Sequence, residues 1–508
     1  MEHQVPRGRT FDVVVVGAGN AALTAALAAR EGGAEVIVLE KAGRELRGGN
    51  TRFAGGLFRC SYSGLEELRP IVGDHDDAGT VTADPYPRER YLADIEKVTA
   101  GLADPVLSSV VVDQSLDTVR WMAGLGVPWE FNRAVGAVTV PGSDRVQLPH
   151  GCALRSLGEG YGLSDNLFRI VEEAGIKVFY ETQALEPVLG EDGQVRGVAI
   201  RDREGRAVIG CRALVLGSGG FQASPEMRTA YLGPSWSLVK VRGTRFNTGE
   251  MTRAAIAAGA QAYGHWAGCH ATPIDADAPE YGDLRLTDKT NRLSYPYSVM
   301  VNLDGERFED EAADFNMYTY ARMGSAILAQ RGSVAIQIFD QKVIPLLEKR
   351  YSTGTPVESP TLSGLVSAIA DRYPALGFRA QRALETLEAF NEATRTEPPF
   401  NPDILDGRST RGLRPEKTNW ALPLDEAPYV AYPATGGITF TFGGIRVSTE
   451  AEVVDSTDRP LPGLFATGEI TGGFFYHNYP GGTGLTRGAV FGRLAGRNAW
   501  SFAIERRQ

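Results

Sequence analysis

The sequence predicts an α/β protein whose first domain is of the Rossmann, dinucleotide-binding type. Three observations carry that reading: a continuous apolar run at residues 11–16, the glycine turn Gly17-Ala18-Gly19-Asn20-Ala21-Ala22 that ends it, and an alanine-rich helical stretch straight after. At 508 residues the chain exceeds what one hydrophobic core normally organises, so two domains are expected.

Each element follows from local chemistry. Phe11-Asp12-Val13-Val14-Val15-Val16 is β-branched without polar alternation, the pattern of a central parallel strand covered on both faces. Gly17 permits a tight turn, Gly19 lets backbone approach a pyrophosphate, and Ala22 stands where a third glycine would let helix pack on strand. The helix expected from Asn20 to Arg30 is stopped by Gly32-Gly33. Its free N–H groups and positive end would receive the pyrophosphate. A second strand, residues 35–39, ends in Glu40, an acid suited to adenosine ribose hydroxyls, with Lys41 beside it.

The stretch Ala213-Leu214-Val215-Leu216-Gly217-Ser218-Gly219-Gly220 repeats the strand-then-glycine theme. Before it, a strand at 181–185 carrying Ala184, with others at 195–201 and 207–211, reads as a small β-meander. Toward the C-terminus, Gly463-Leu464-Phe465-Ala466-Thr467 runs as a short strand into Gly468-Glu469. Tyr479-Pro480-Gly481-Gly482-Thr483-Gly484 and a helix from Leu485 to about Ala503 follow. A second glycine-rich strand-to-helix junction, remote from the first, suits the flavin end of a long cofactor, so FAD is expected in preference to NAD.

Taken together, these motifs resemble the flavoprotein family of fumarate reductase and succinate dehydrogenase, and within it the FAD-dependent tricarballylate dehydrogenase group. The likeness runs from Asp12 to about Arg497 and rests also on Arg47-Gly48-Gly49-Asn50-Thr51-Arg52-Phe53-Ala54-Gly55-Gly56, Asn247-Thr248-Gly249-Glu250-Met251, Gly268-Cys269-His270-Ala271, Gly305-Glu306-Arg307-Phe308 and Tyr318-Thr319-Tyr320-Ala321-Arg322. The resemblance implies that Gly49, Asn50, Thr51 and Gly56 line the flavin, with Gly48 and Gly55 also binding the cofactor. It implies the same cofactor-holding role for Ser218, Gly219, Gly220, Asn247, Gly249, Glu250, Gly468, Glu469, Gly482, Gly484 and Leu485. Membrane-bound members attach FAD through a histidine in the first of these segments. None occurs here between His3 and His75, so the FAD is expected to be non-covalent.

By the same resemblance, residues 1–268 and 437–508 form a discontinuous FAD-binding domain, with an α+β capping domain at 269–436 inserted. A hinged cap would exclude water during hydride transfer. Within the insert, helices are expected at 326–330, 341–351 and 379–392, divided by turns at Pro356, Pro360, Pro398-Pro399, Pro402 and Pro423.

The implied reaction is a two-electron oxidation of a C–C bond beside a carboxylate or carbonyl. It requires a hydride acceptor, a base, and groups that stabilise enolate-like charge. His270 falls where fumarate reductases carry a substrate-binding histidine, here in His-Ala-Thr; a loop hydrogen bond is its plainer role. Arg322 follows Tyr318 and Tyr320, whose alternation suits groups converging on a pocket; a helix-surface arginine is the alternative. Arg242 and Arg245 are carboxylate candidates or ordinary ion pairs. His477 and Tyr479 lie beside the flavin-holding glycines, and Tyr479 is the foremost candidate. His75, His150 and His265 are expected in solvent or packing roles.

The chain departs from fumarate reductase at three chemical positions. Phe315, Phe440 and Tyr479 stand where that family carries the acid arginine, a histidine and the substrate-clamping arginine. Fumarate reduction is therefore not expected. A tricarballylate-like polycarboxylate is the favoured substrate. The tyrosine-proline-glycine stretch also resembles that of 3-ketosteroid dehydrogenases, so a steroid or natural-product desaturase is the alternative. A flavin monooxygenase like the cobalamin-pathway enzyme is a third reading; the lack of a cysteine-rich extension before Gln508 counts against it. Electrons are expected to pass to an acceptor protein or quinone.

Composition bounds the rest. With 52 basic and 62 acidic residues the net charge is -10, which argues against nucleic acid or anionic membranes as general partners. The four cysteines, Cys60, Cys152, Cys211 and Cys269, lie far apart and match no metal or iron–sulfur spacing. No apolar run suits a secretory signal or a bilayer span, so a cytoplasmic enzyme with a small-molecule substrate is expected.

Overall fold

The computed structural model describes residues 5–73, 76–140 and 143–506; His3 and His75 lie outside them. The chain folds as two compact units. One comprises the residues up to Gly233, Gly243–Cys269 and Phe440 onward; the other comprises Pro234–Arg242 and His270–Thr439.

The first unit is organised by an eight-stranded sheet. Its order is Gln183–Leu189, Val195–Asp202, Gly205–Leu216, Thr10–Val16, Val36–Leu39 and Lys177–Phe179, with Pro460–Ala466 also paired to Gly205–Leu216 and Glu452–Val454 paired to Pro460–Ala466. The strand Thr10–Val16 lies parallel to both neighbours, Val14 opposite Leu214 on one side and Ile37 on the other. Its valines are fully buried, as a strand covered on both faces requires.

The predicted strands at 207–211 and 213–216 are one continuous strand, Gly205–Leu216. Its first half belongs to the antiparallel meander and its second half to the parallel sheet. The helix Thr483–Glu505 packs along Asn20–Glu31 at small residues. A Cβ at Gly492 would lie 2.5 Å from the Ala21 carbonyl oxygen, and one at Gly496 would lie 2.1 Å from that of Ala25.

The second unit is an α+β assembly. Its six-stranded sheet runs Lys240–Val241, Tyr429–Thr441, Val334–Phe339, Val299–Asn302, with Cys269–Asp275 and Val357–Ser359 also paired to Tyr429–Thr441. Pro234–Arg242 joins this unit because Lys240 and Val241 pair with Gly437 and Ile438. The helices Leu362–Arg372 and Ala380–Ala393 bury Leu365, Ile369, Leu387 and Phe390 against Ile336 and Ile338.

Two expectations for this unit are corrected. The helix expected at 341–351 is instead two short 3-10 turns, Ile344–Leu346 and Lys349–Thr353, because Pro345 removes a backbone donor in mid-stretch. Tyr318, Tyr320 and Arg322 lie in the helix Asn316–Leu328, the setting of the helix-surface alternative for Arg322. At 3.6 residues per turn, alternate residues point to different faces, so these three side chains do not converge by alternation.

Candidate functional site

The site in the first unit is assembled from glycine-rich turns that the sheet brings to one place. Gly17 has φ +96°, and a Cβ there would lie 2.4 Å from the Gly217 carbonyl oxygen, so two strand ends meet backbone to backbone. Gly217 is the glycine that admits Ala22, whose Cβ would be 2.8 Å from a side chain at 217. The Asn20 N–H donates to Thr51 Oγ1 at 2.8 Å and its Nδ2 donates to the Leu485 carbonyl at 2.9 Å. One residue thus ties the first loop to the Gly48–Thr51 turn and to the start of the C-terminal helix. Gly468 closes the group, with its Cβ position 2.7 Å from the Ala21 methyl.

Other glycines here border space that no protein atom fills. A Cβ at Gly19 would meet nothing nearer than Thr51 Oγ1 at 3.4 Å, one at Gly49 nothing nearer than 3.9 Å, and one at Gly484 nothing nearer than Tyr479 at 3.8 Å. Among the described residues, none donates a hydrogen bond to buried Asn20 Oδ1. Bare backbone, helix starts at residues 20 and 483, and an unused buried acceptor fit a bound dinucleotide.

Glu40 ends the strand Val36–Leu39, is 7% exposed, and accepts from the Ala42 N–H at 2.7 Å. Burial pushes its carboxyl up to about 7 despite the backbone donors around it. Beside it, Lys41 Nζ donates to the Phe246 carbonyl at 3.0 Å and to Glu250 Oε1 at 2.7 Å. Burial raises Glu250, but hydrogen bonds from Lys41 and Thr248 outweigh it and leave the carboxyl below its usual range. A cavity of about 760 Å³ opens here, lined in part by Lys41, Gln183, Arg201 and Phe246. Ala184, next to Gln183, is buried in the strand Gln183–Leu189.

Several predicted residues serve the protein's own framework. Asn247 Nδ2 donates to Glu469 Oε2 at 3.2 Å, and Asn247 lies against Gly219. Glu469 also accepts from the Thr441 N–H at 2.9 Å and Gln222 Nε2 at 3.2 Å, and a Cβ at Gly220 would strike it. Burial pushes the Glu469 carboxyl up to about 7. Gly56 sits against Ser156 and the Glu159 backbone, and Gly249 against Phe221 and Met227, so close packing already explains both glycines. Asn50 Oδ1 accepts from the Thr244 N–H at 3.0 Å. Ser218 follows this strand end, and Gly55 sits part-buried in the turn before Leu57.

Beside Gly484 the wall is aromatic. Tyr479, 9% exposed, packs edge-on to Phe440 at 5.1 Å and tilted against Phe475 at 5.2 Å, and Phe442 adds to the cluster. His477 adopts φ +60° at the turn before it, is exposed, and donates its N–H to His265 Nδ1 at 3.1 Å. His265 stacks on Tyr476, and burial holds its ring below the usual histidine range, with His477 adding to the shift. His150 is likewise lowered by burial and uses its carbonyl to accept from Arg59.

In the second unit, His270 is 1% exposed in the strand Cys269–Asp275 and meets the Tyr320 ring edge-on at 4.9 Å. Burial, reinforced by Arg242, holds it well below the usual range, so it is neutral at physiological pH. Arg242 Nη1 donates to Asp288 Oδ1 at 2.7 Å and its Nε donates to Thr439 Oγ1 at 3.0 Å. Arg245 is exposed. Arg322 is part-exposed and pairs with Glu309 at 3.4 Å. Among the described residues no cluster of histidine, cysteine or acid could hold a metal, and no helix is long and apolar enough to cross a membrane.

Sequence reasoning missed the side chains that brace the last glycine turn. Arg59, 1% exposed, donates from Nε to the Gly481 carbonyl at 2.8 Å, and Cys152 donates its thiol to the same oxygen at 2.9 Å. The available signal was an arginine set between Phe58 and Cys60 in an otherwise apolar stretch.

Comparison with known proteins matches residues 12–485 to the FAD binding domain family. A cytochrome-type fumarate reductase of Shewanella frigidimarina is 28% identical over 97% of this chain and 78% of its own length. A 4-oxocyclohexanecarboxylate 2-dehydrogenase of Sinomonas cyclohexanicum is 27% identical over 98% of this chain and 94% of its own length. Among solved structures, the open conformation of a flavocytochrome c3 fumarate reductase superposes with a TM-score of 0.73 at 25% identity, over 98% of this chain and 79% of that one.

Proposed function

Because the chain belongs to the FAD binding domain family, the flavoprotein family of fumarate reductase and succinate dehydrogenase, we propose that it oxidises or reduces a C–C bond next to a carbonyl group. It is an FAD-dependent oxidoreductase acting on CH–CH groups. FAD supplies the acceptor or donor of the hydride. The glycine turns at 17–22, 48–51 and 482–485 would hold it without a covalent bond, and Glu40 would meet its ribose hydroxyls.

The observation that carries the substrate reading is Tyr479, a single hydroxyl-bearing ring set among Phe440, Phe442 and Phe475. Such a wall suits an apolar, ring-shaped substrate, and the phenol can hydrogen-bond a ketone oxygen as charge builds on it. The similarity to a dehydrogenase of an oxocyclohexane carboxylate supports this reading. A tricarballylate-like polycarboxylate would need several cations, yet Arg242 is paired with Asp288 and Arg322 with Glu309. A ketone therefore comes first and the polycarboxylate second. An acceptor protein or quinone in the cytoplasm would take the electrons onward. Deuterium at the carbon that yields hydride tests the reaction type: flavin reduction by the labelled ketone should slow several-fold, and equal rates would rule out hydride abstraction as the reducing step.

A further inference from the structure

We propose that Arg59 is a positioning residue for the flavin, fixing the Gly481–Gly482 turn that launches the C-terminal helix and thereby setting the reduction potential of the bound FAD. The inference rests on FAD binding and is independent of the substrate proposed above.

Arg59 follows the short strand Leu57–Phe58 and is buried. Its planar fork works in two directions. Nε donates to the Gly481 carbonyl at 2.8 Å, while Nη1 donates to Tyr86 Oη at 2.7 Å, Asp94 Oδ2 at 3.2 Å and the His150 carbonyl at 3.2 Å. Tyr86 in turn donates to Asp94 at 2.6 Å, so the guanidinium is neutralised and oriented from behind.

The turn it grips leaves little freedom. Gly482 is the N-cap of Thr483–Glu505 with φ +86°, and a Cβ there would fall 2.8 Å from Cys152 Sγ and 3.0 Å from the Arg59 backbone nitrogen. The next residue is held from the same side, where Tyr91 Oη donates to Thr483 Oγ1 at 3.0 Å. The first turn of this helix carries part-buried Gly484, where a Cβ would meet only the Tyr479 and Phe440 rings, at 3.8 and 4.0 Å. N–H groups at a helix start favour negative charge, and FAD gains negative charge on reduction. Displacing that turn by a fraction of an ångström weakens the preference for the reduced form.

Lysine cannot replace the fork, because one ammonium cannot reach Gly481 while also engaging Tyr86 and Asp94. Arg59→Lys is expected to fold and keep FAD while binding the reduced form about tenfold less tightly relative to the oxidised form. For a two-electron couple that lowers the flavin midpoint potential by about 30 mV. Tyr86→Phe, which removes one constraint on the guanidinium and leaves the Gly481 bond, should shift the potential the same way by less. A purely structural brace would lower the melting temperature and leave the potential unchanged; that result in Arg59→Lys overturns the proposal. If Arg59→Lys does not fold, the Tyr86→Phe potential decides alone: a lowered value supports the assignment and an unchanged one refutes it.

Discussion

Asn247 donates its side-chain amide to Glu469 at 3.2 Å, joining two segments that are 222 residues apart. Thr441 and Gln222 donate to the same carboxyl, so Glu469 is the knot of the first unit beneath the glycine turns. Glu469→Gln would set an NH₂ group against donors that now meet a carboxyl oxygen, and below pH 7 it should cost on the order of 1–3 kcal/mol of stability, seen as a lower melting temperature. Differential scanning fluorimetry checks this; an unchanged melting temperature would contradict the network.

The same carboxyl predicts a pH dependence. A group raised to about 7 in the folded state holds its proton longer than in the unfolded chain. Its contribution is therefore complete below the unfolded value of 4.5 and is lost as pH rises through 7. The loss from this group is about 3 kcal/mol at most. Glu40 adds a second contribution of the same sign. Glu469→Gln should flatten, without abolishing, the fall in stability between pH 5 and 8; denaturant titrations at each pH provide the slope.

His270 gives the opposite sign. Its ring stays neutral in the folded protein while the unfolded chain protonates near 6.5, so stability is present above that pH and is lost as pH falls. His270→Leu should remove this acid sensitivity, and parallel denaturation curves for variant and parent between pH 7 and 5 would show otherwise.

Arg322 is the candidate whose surroundings call for least. Its pair with Glu309 is solvent-accessible, so Arg322→Ala should cost under about 1 kcal/mol and leave the rate of flavin reduction within about twofold of the parent. A large rise in KM with unchanged stability would instead assign Arg322 to the substrate.

The opening strand, turn, helix and acid were legible because local signals agreed: a β-branched run, glycines at a turn, an alanine-rich helix and a terminal Glu40. Alternation misled at Tyr318 and Tyr320, where a pattern of period two falls on a helix whose buried face is set by Thr319, Met323 and Ile327. Prolines mark the breaks within the second unit, and Pro345 makes one more, inside a stretch whose composition otherwise suits a helix. The Glu469 and Arg59 networks were illegible for a different reason. Their partners are scattered along the chain, from Thr441, 28 residues before Glu469, to Gly481, 422 residues after Arg59, and no local pattern encodes such pairs.

Tyr479→Phe separates cofactor binding from chemistry. Removing one hydroxyl from an aromatic cluster leaves the packing with Phe440 and Phe475, so FAD content should match the parent. Loss of a single donor to a developing oxyanion costs about 10²–10³ in rate. Reduction of the flavin in Tyr479→Phe at the parent rate would remove the phenol from the reaction.

The central claim, an FAD enzyme acting on a C–C bond beside a carbonyl, is tested most directly by mixing the purified holoenzyme anaerobically with a panel of cyclic ketones, tricarballylate and succinate, and following the flavin absorbance. Bleaching by a cyclic ketone, with the α,β-unsaturated ketone as product, is the predicted result. Bleaching by tricarballylate alone would shift the substrate to the polycarboxylate class. A flavin that no panel member reduces, and that consumes oxygen to hydroxylate a substrate when given an external reductant, would contradict the account.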